Sequence, residues 1–280
     1  MQMETLCLIP AAQPPLPASD TQTKAEAHAK GEWRRLRQEL RQAAHEGGFT
    51  LAFQPRRRMR DGALLGAQAQ LRWPRRRGGT TQPSSFMPLL DECGLASGVA
   101  AWAMRAACEA AAGWPRGQVS VPAAGAALRD GSLLAQIGQA LAGSGLAPER
   151  LEIEIAEATL TADRGDTLMA LSALRDTGVS VALDAFGSDT ASLLTLKRLP
   201  LTALKLDRSM VRDLPQDREA AAVVLAVTDF AHALDMTVAA VGMETAGQRD
   251  FLRRAGCDEA QGSLCGRAEA AEVMGELLKK

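Results

Sequence analysis

The stretch LEIEIAEATLTADRGDTLMALSALRDTGVSVALD, residues 151–184, decides the fold. It opens on a short aliphatic run, LEIEI (151–155), passes through a helical pattern at 165–177, breaks at Gly178 and enters a second aliphatic run, VSVALD (179–184). A strand, a helix and a strand joined by short links form the repeating unit of a parallel sheet. Working outward, the same alternation recurs. The predicted strands are FTLAFQP (49–55), LGAQAQLRW (65–73), QVSV (118–121), ALKL (203–206), TVAAV (237–241) and DEAQG (258–262). Helical patterns lie between them at 98–113, 131–144, 217–234 and 246–255, punctuated by Gly145, Pro148, Pro200, Pro215 and Gly256. Eight strands alternating with helices predict an α/β fold, a (β/α)8 barrel of the TIM type. An open doubly wound sheet is the rival, but the Gly-rich phosphate turn it usually carries after its first strand is not seen here.

Upstream, residues 1–23 hold Pro10, Pro14, Pro15 and Pro17 among small polar residues and predict a disordered tail. Residues 24–46 predict an amphipathic helix. Trp33, Leu36, Leu40, Ala43 and Ala44 share one face, Arg34, Arg35, Gln38 and Arg41 the other, and Gly47-Gly48 ends it. Residues 47–280 are then the barrel.

Composition narrows the function classes. Hydrophobic residues make up 46% of the 280 and aromatic residues only 4%, so the core should be aliphatic. Net charge is −1, which argues against nucleic-acid binding by the chain as a whole. Its basic residues nonetheless cluster, at Arg34, Arg35, Arg37 and Arg41, at Arg56, Arg57, Arg58 and Arg60, and at Arg75, Arg76 and Arg77. Solvated faces explain such runs, and a patch for an anionic partner is the sharper reading. Five cysteines without a CxxC pair argue against a zinc site or disulfide framework and fit a reducing cytoplasm. No apolar run reaches the roughly 20 residues of a membrane span.

The ordered segments FQP (53–55), GAQAQLRW (66–73), FMPLLDECGL (86–95), LEIEIAEATL (151–160), LDAFGSDTASL (183–193), LKLDRSMV (204–211), AAVGMET (239–245) and GCDEAQGSL (256–264) resemble those of EAL domains, the cyclic di-GMP phosphodiesterase-type domains of bacteria. The resemblance covers roughly residues 35–280. It implies a (β/α)8-type barrel with one antiparallel strand, and hydrolysis of a phosphodiester by water activated at two Mg or Mn ions. Hard cations need oxygen ligands, mostly carboxylates.

Carried over residue by residue, the resemblance implies a degenerate site. The Glu-Ala-Leu motif becomes Gln68-Ala69-Gln70, whose first residue offers only a neutral amide. The asparagine ligand becomes Pro122, the second of the paired aspartates becomes Ala185, and a further glutamate ligand becomes Val241. Glu154 and Asp184 remain as metal-binding carboxylates. Lys205, Glu157, Glu244 and Gln261 also remain in place, with Glu157 matching the glutamate that organises a loop. Gln54 and Arg72 match the residues that contact guanine and phosphate. With four positions lost, the expectation is a catalytically inactive regulator, without a metal cofactor, that acts through a protein partner or as a homodimer. The implied processes are motility or biofilm regulation. A cyclic di-GMP receptor is the alternative. Pro122 and Val241 change the pocket wall, and Asp189 puts charge where the family has glycine, so the expectation is that nucleotide binding is lost. Lys205 is expected to pair with Asp184 or Glu154, because a lone buried ammonium is costly.

Overall fold

Eight strands close into a barrel in the computed structural model, which describes residues 20–75, 80–81, 83–161, 164–187 and 193–280. The strands are β1 (Thr50–Arg58), β2 (Leu64–Pro74), β4 (Gln118–Pro122), β5 (Leu151–Ala156), β6 (Ser180–Phe186), β7 (Ala203–Leu206), β8 (Thr237–Val241) and β9 (Glu259–Gln261). A two-residue strand that the sequence pattern does not predict, β3 (Thr80–Thr81), pairs with the end of β2 outside the barrel. The order around the barrel is β1-β9-β8-β7-β6-β5-β4-β2, closed by β1 on β2. β1 is antiparallel to both neighbours, and the remaining pairs in the ring are parallel.

The antiparallel start follows from the link between β1 and β2. Five residues separate these strands, enough for a hairpin but far too few for a helical crossover. Gly62, at φ 74°, supplies the turn. The hairpin register sets Gln54 opposite Gln68 and Ala52 opposite Gln70.

The ring of helices comprises α3 (Ala96–Ala112), α4 (Gly125–Arg129), α5 (Leu133–Ser144), α6 (Arg164–Asp176), α7 (Leu193–Leu196), α8 (Arg208–Arg212), α9 (Arg218–His232), α10 (Ala246–Arg254) and α11 (Ala271–Lys279). Aliphatic side chains dominate their contact with the barrel, as the composition predicts: Val119, Ile153, Val181, Leu204 and Val238 are fully buried.

Upstream of the ring lie α1 (Asp20–Glu46) and α2 (Pro83–Glu92). They form a separate small core with the end of β2, around Leu40, Phe49, Trp73, Phe86 and Leu90. Much of the scarce aromatic content gathers here. Phe49 stacks on Phe86 at 5.9 Å, and Trp73 meets Phe86 edge-on at 5.8 Å. Two sequence expectations need correcting. Helix α1 begins at Asp20, so 20–23 are helical rather than part of the tail; no proline lies between Pro17 and Pro55 to interrupt it. Trp33, assigned to the apolar face of α1, is 51% exposed because the second core begins a turn later, at Leu36. Residues 1–19, which hold the Pro-rich segment, lie outside the described residues.

Candidate functional site

In an α/β barrel the C-terminal ends of the parallel strands form the face that carries chemistry. Strand β5 brings Glu154 there, buried, and β7 brings Lys205, also buried. The Lys205 ammonium ion-pairs with Glu154 Oε1 and lies 4.0 Å from Asp184 on β6. The other Glu154 oxygen, Oε2, accepts a hydrogen bond from Gln68 Nε2 at 2.5 Å. Burial pushes the Glu154 carboxyl up, but the Lys205 charge and the donors around it outweigh that and hold it below the usual carboxylate range. Asp184 goes the other way. Burial raises it, Lys205 offsets this in part, and the Glu154 charge adds to the rise. Lys205 loses by burial and gains more from Glu154 and Asp184, so its ammonium is held more firmly than in water.

Gln68 is also one corner of a half-buried amide network. Gln70 Nε2 donates to Gln54 Oε1 at 2.6 Å and to Gln68 Oε1 at 3.1 Å. Gln261 Nε2 donates to Gln68 Oε1 at 2.6 Å and to Gln54 Oε1 at 2.9 Å. Gln70 Oε1 accepts from Arg72 Nη2 at 2.6 Å. Four amides from β1, β2 and β9 thus connect Glu154 to Arg72. The period of a strand explains it: residues 68, 70 and 72 share one face of β2, and the hairpin sets Gln54 beside them. Arg72 also donates to Leu71 O at 3.0 Å, and among the described residues it has no carboxylate partner.

Strand β6 has a bulge at its end. Leu183 pairs with Leu204 and Phe186 with Leu206, so three steps on β6 match two on β7. Ala185 absorbs the extra residue at φ 55°, a left-handed conformation unusual for alanine. Beyond the bulge, Glu157 Oε2 accepts from the Gly187 N–H at 2.9 Å and ties the end of β5 to the end of β6. Asp207 caps α8, accepting from Ser209 N at 2.8 Å.

The remaining sequence-predicted positions among the described residues add no side-chain hydrogen bond or ion pair to this cluster. Glu244 pairs with Arg208 at 2.6 Å on the surface. Pro122 ends β4 beside Glu154 in the register, with no side-chain oxygen to offer. Val241 ends β8, and Asp189 lies outside the described residues. Below the mouth sits a second ionic cluster that the sequence reading missed. Arg56, assigned there to a solvated run, is buried and pairs with Glu152 at 2.9 Å and Glu259 at 2.8 Å. The signal was the alternation in LEIEI, which turns Glu152 and Glu154 to the same side and demands cations within.

Both oxygens of Glu154 are engaged by donors of the chain itself. Among the described residues no three His, Cys, Asp or Glu side chains converge as a metal-ligand set. No helix among them is long and apolar enough to cross a membrane.

The sequence profile of the EAL domain matches residues 37–268. The chain is 33% identical over 244 residues to the bifunctional diguanylate cyclase/cyclic di-GMP phosphodiesterase MucR of Pseudomonas aeruginosa, covering 85% of this chain and 36% of that protein. It is 34% identical over 249 residues to the cyclic di-GMP phosphodiesterase NbdA of the same organism, covering 87% of this chain and 32% of that protein. The chain therefore spans about a third of the length of these curated relatives. Among solved structures, the PaMucR phosphodiesterase in its c-di-GMP complex superposes with a TM-score of 0.82 at 33% identity, covering 86% of this chain and 99% of that one. The FimX EAL domain from Pseudomonas aeruginosa bound to c-di-GMP gives 0.76 at 27% identity, covering 83% of this chain and 96% of that one. Complexes of this kind lend no support to the expectation that nucleotide binding is lost.

Proposed function

This chain belongs to the EAL domain family, and from that premise we propose that it is a member without phosphodiesterase activity, a regulatory domain that works by contact with another protein. One observation carries the reading. Glu154 spends one oxygen on Lys205 and the other on the Gln68 amide. To ligate a dication it would have to give up at least one of these contacts. Mg dehydrates reluctantly and demands near-octahedral oxygen ligation, which Glu154 and Asp184 alone do not supply. The decisive experiment incubates the purified protein with cyclic di-GMP and Mg or Mn and measures linear dinucleotide by chromatography. No product above the protein-free rate is expected. Turnover that disappears in Glu154→Ala would sink the proposal.

A second reading, a metal-free cyclic di-GMP receptor, is favoured by one specific feature. Arg72 keeps an unneutralised guanidinium, oriented by Gln70, and a planar fork of that kind suits a phosphate. Two structural neighbours were solved with the nucleotide bound. Calorimetric titration without metal separates the readings: heat that Arg72→Ala abolishes supports the receptor, and silence far above micromolar nucleotide removes it.

A further inference from the structure

The arginine run RRRMR (56–60) is divided between the two sides of β1. Arg56 enters the barrel and is buried, while Arg57, Arg58 and Arg60 stay on the outer wall. There they face Arg249 and Arg253 of α10 across a groove of about 490 Å³. Because β1 joins β2 through a hairpin, the hairpin itself forms one wall of this groove.

The arginines are held in place. Arg57 donates from Nε to Cys265 O at 2.8 Å and from Nη1 to Gly62 O at 2.9 Å, and among the described residues it has no carboxylate partner. Asp61 serves both Arg58, at 3.1 Å, and Arg60, at 3.4 Å. Asp250 serves Arg249, at 3.0 Å, and Arg253, at 3.8 Å. Of the nearby acids, Glu259 pairs with Arg56 and Asp258 is hydrogen-bonded to the His232 ring. Four of the five guanidinium groups therefore share two carboxylates and Arg57 has none, an excess of three positive charges (five minus two) within this set, in a chain whose net charge is −1. Leu264, 43% exposed, gives the groove an apolar spot.

We propose that this groove docks a short acidic segment of a partner protein, with an aliphatic side chain of that segment on Leu264. The proposal deepens the protein-contact reading above and rests on it. Guanidinium forks take carboxylates through paired hydrogen bonds, and arginines pinned beforehand lose little entropy on binding. Single-stranded nucleic acid fits less well, since no aromatic side chain lines the groove for a base to stack on.

The test is fluorescence anisotropy of the full chain with a labelled peptide of glutamates around a central leucine. Binding should weaken with salt. It should fall by about tenfold or more in Arg58→Glu/Arg60→Glu/Arg253→Glu and stay unchanged in Arg34→Glu/Arg37→Glu/Arg41→Glu. Arg60→Ala, at a side chain 78% exposed, keeps the test valid if the triple variant unfolds, and should weaken binding severalfold. No binding, or equal loss in both triple variants, overturns the proposal. So does a single-stranded oligonucleotide that binds more tightly than the peptide with the same sensitivity to the groove variants. Hydrolysis measured on the same preparations separates the two claims. Turnover with intact peptide binding removes the non-enzymatic reading alone, and lost peptide binding without turnover removes the groove alone.

Discussion

At the scale of the residue, the site is decided by how its carboxylates are partnered. Gln68 sets an N–H donor against Glu154, so the buried carboxylate keeps a partner on each oxygen. Asp184 is less well served, and its raised pKa fixes the sign of its effect. A folded-state value above the ordinary 3.8 means that the folded protein holds the proton more tightly, so stability from this group is lost as pH rises through the folded value. Asp184→Asn should therefore raise the melting temperature at pH 7, with the gain shrinking toward zero as pH falls below about 4; thermal unfolding across pH checks it. Ala185 carries backbone strain at φ 55° that glycine would not. Ala185→Gly should stabilise the fold by about 1 kcal/mol, read by denaturant titration.

At the scale of the element, the β1–β2 hairpin organises both the amide network and the arginine groove. Its packing against the barrel depends on Gly66. A Cβ there would sit 1.9 Å from the backbone oxygen of Gln118 on β4. The obstacle is main chain and cannot rotate away. Gly66→Ala should cost about 2–3 kcal/mol by forcing β2 from β4, and should disturb Gln68 two residues on. Denaturant midpoints measure the first effect. The sequence made the strand and its glutamines visible, but the partner of Gln70 was not legible. That partner, Gln54, lies 16 residues away and becomes adjacent only through the hairpin register.

At the scale of the whole molecule, the barrel interior holds two ionic clusters stacked along its axis. Lys205, Glu154 and Asp184 lie near the mouth, and Arg56, Glu152 and Glu259 below. Breaking a buried pair on one side leaves an uncompensated charge. Arg56→Ala should therefore destabilise the protein by about 3–5 kcal/mol, against less than about 1 kcal/mol for Arg60→Ala on the surface, and chemical denaturation compares the two. Arg56 and Arg60 belong to one run in the sequence. Their predicted difference of several kcal/mol arises from which side of the wall each occupies.

The sequence by itself determined the barrel, because strand and helix periods are local properties of the chain, and each predicted barrel strand recurs in the structure with its ends shifted by three residues at most. It also determined that positions 68, 122, 185 and 241 carry Gln, Pro, Ala and Val, none of them a carboxylate. Only the tertiary structure decided how the remaining groups are satisfied. Glu154 meets Lys205 51 residues away and Gln68 86 residues away, and Arg56 meets Glu259 across 203. Contacts at such separations depend on barrel closure and strand register, which no local pattern encodes. The same closure turned one arginine of a uniform run inward to neutralise buried glutamates and left its neighbours outside around a groove.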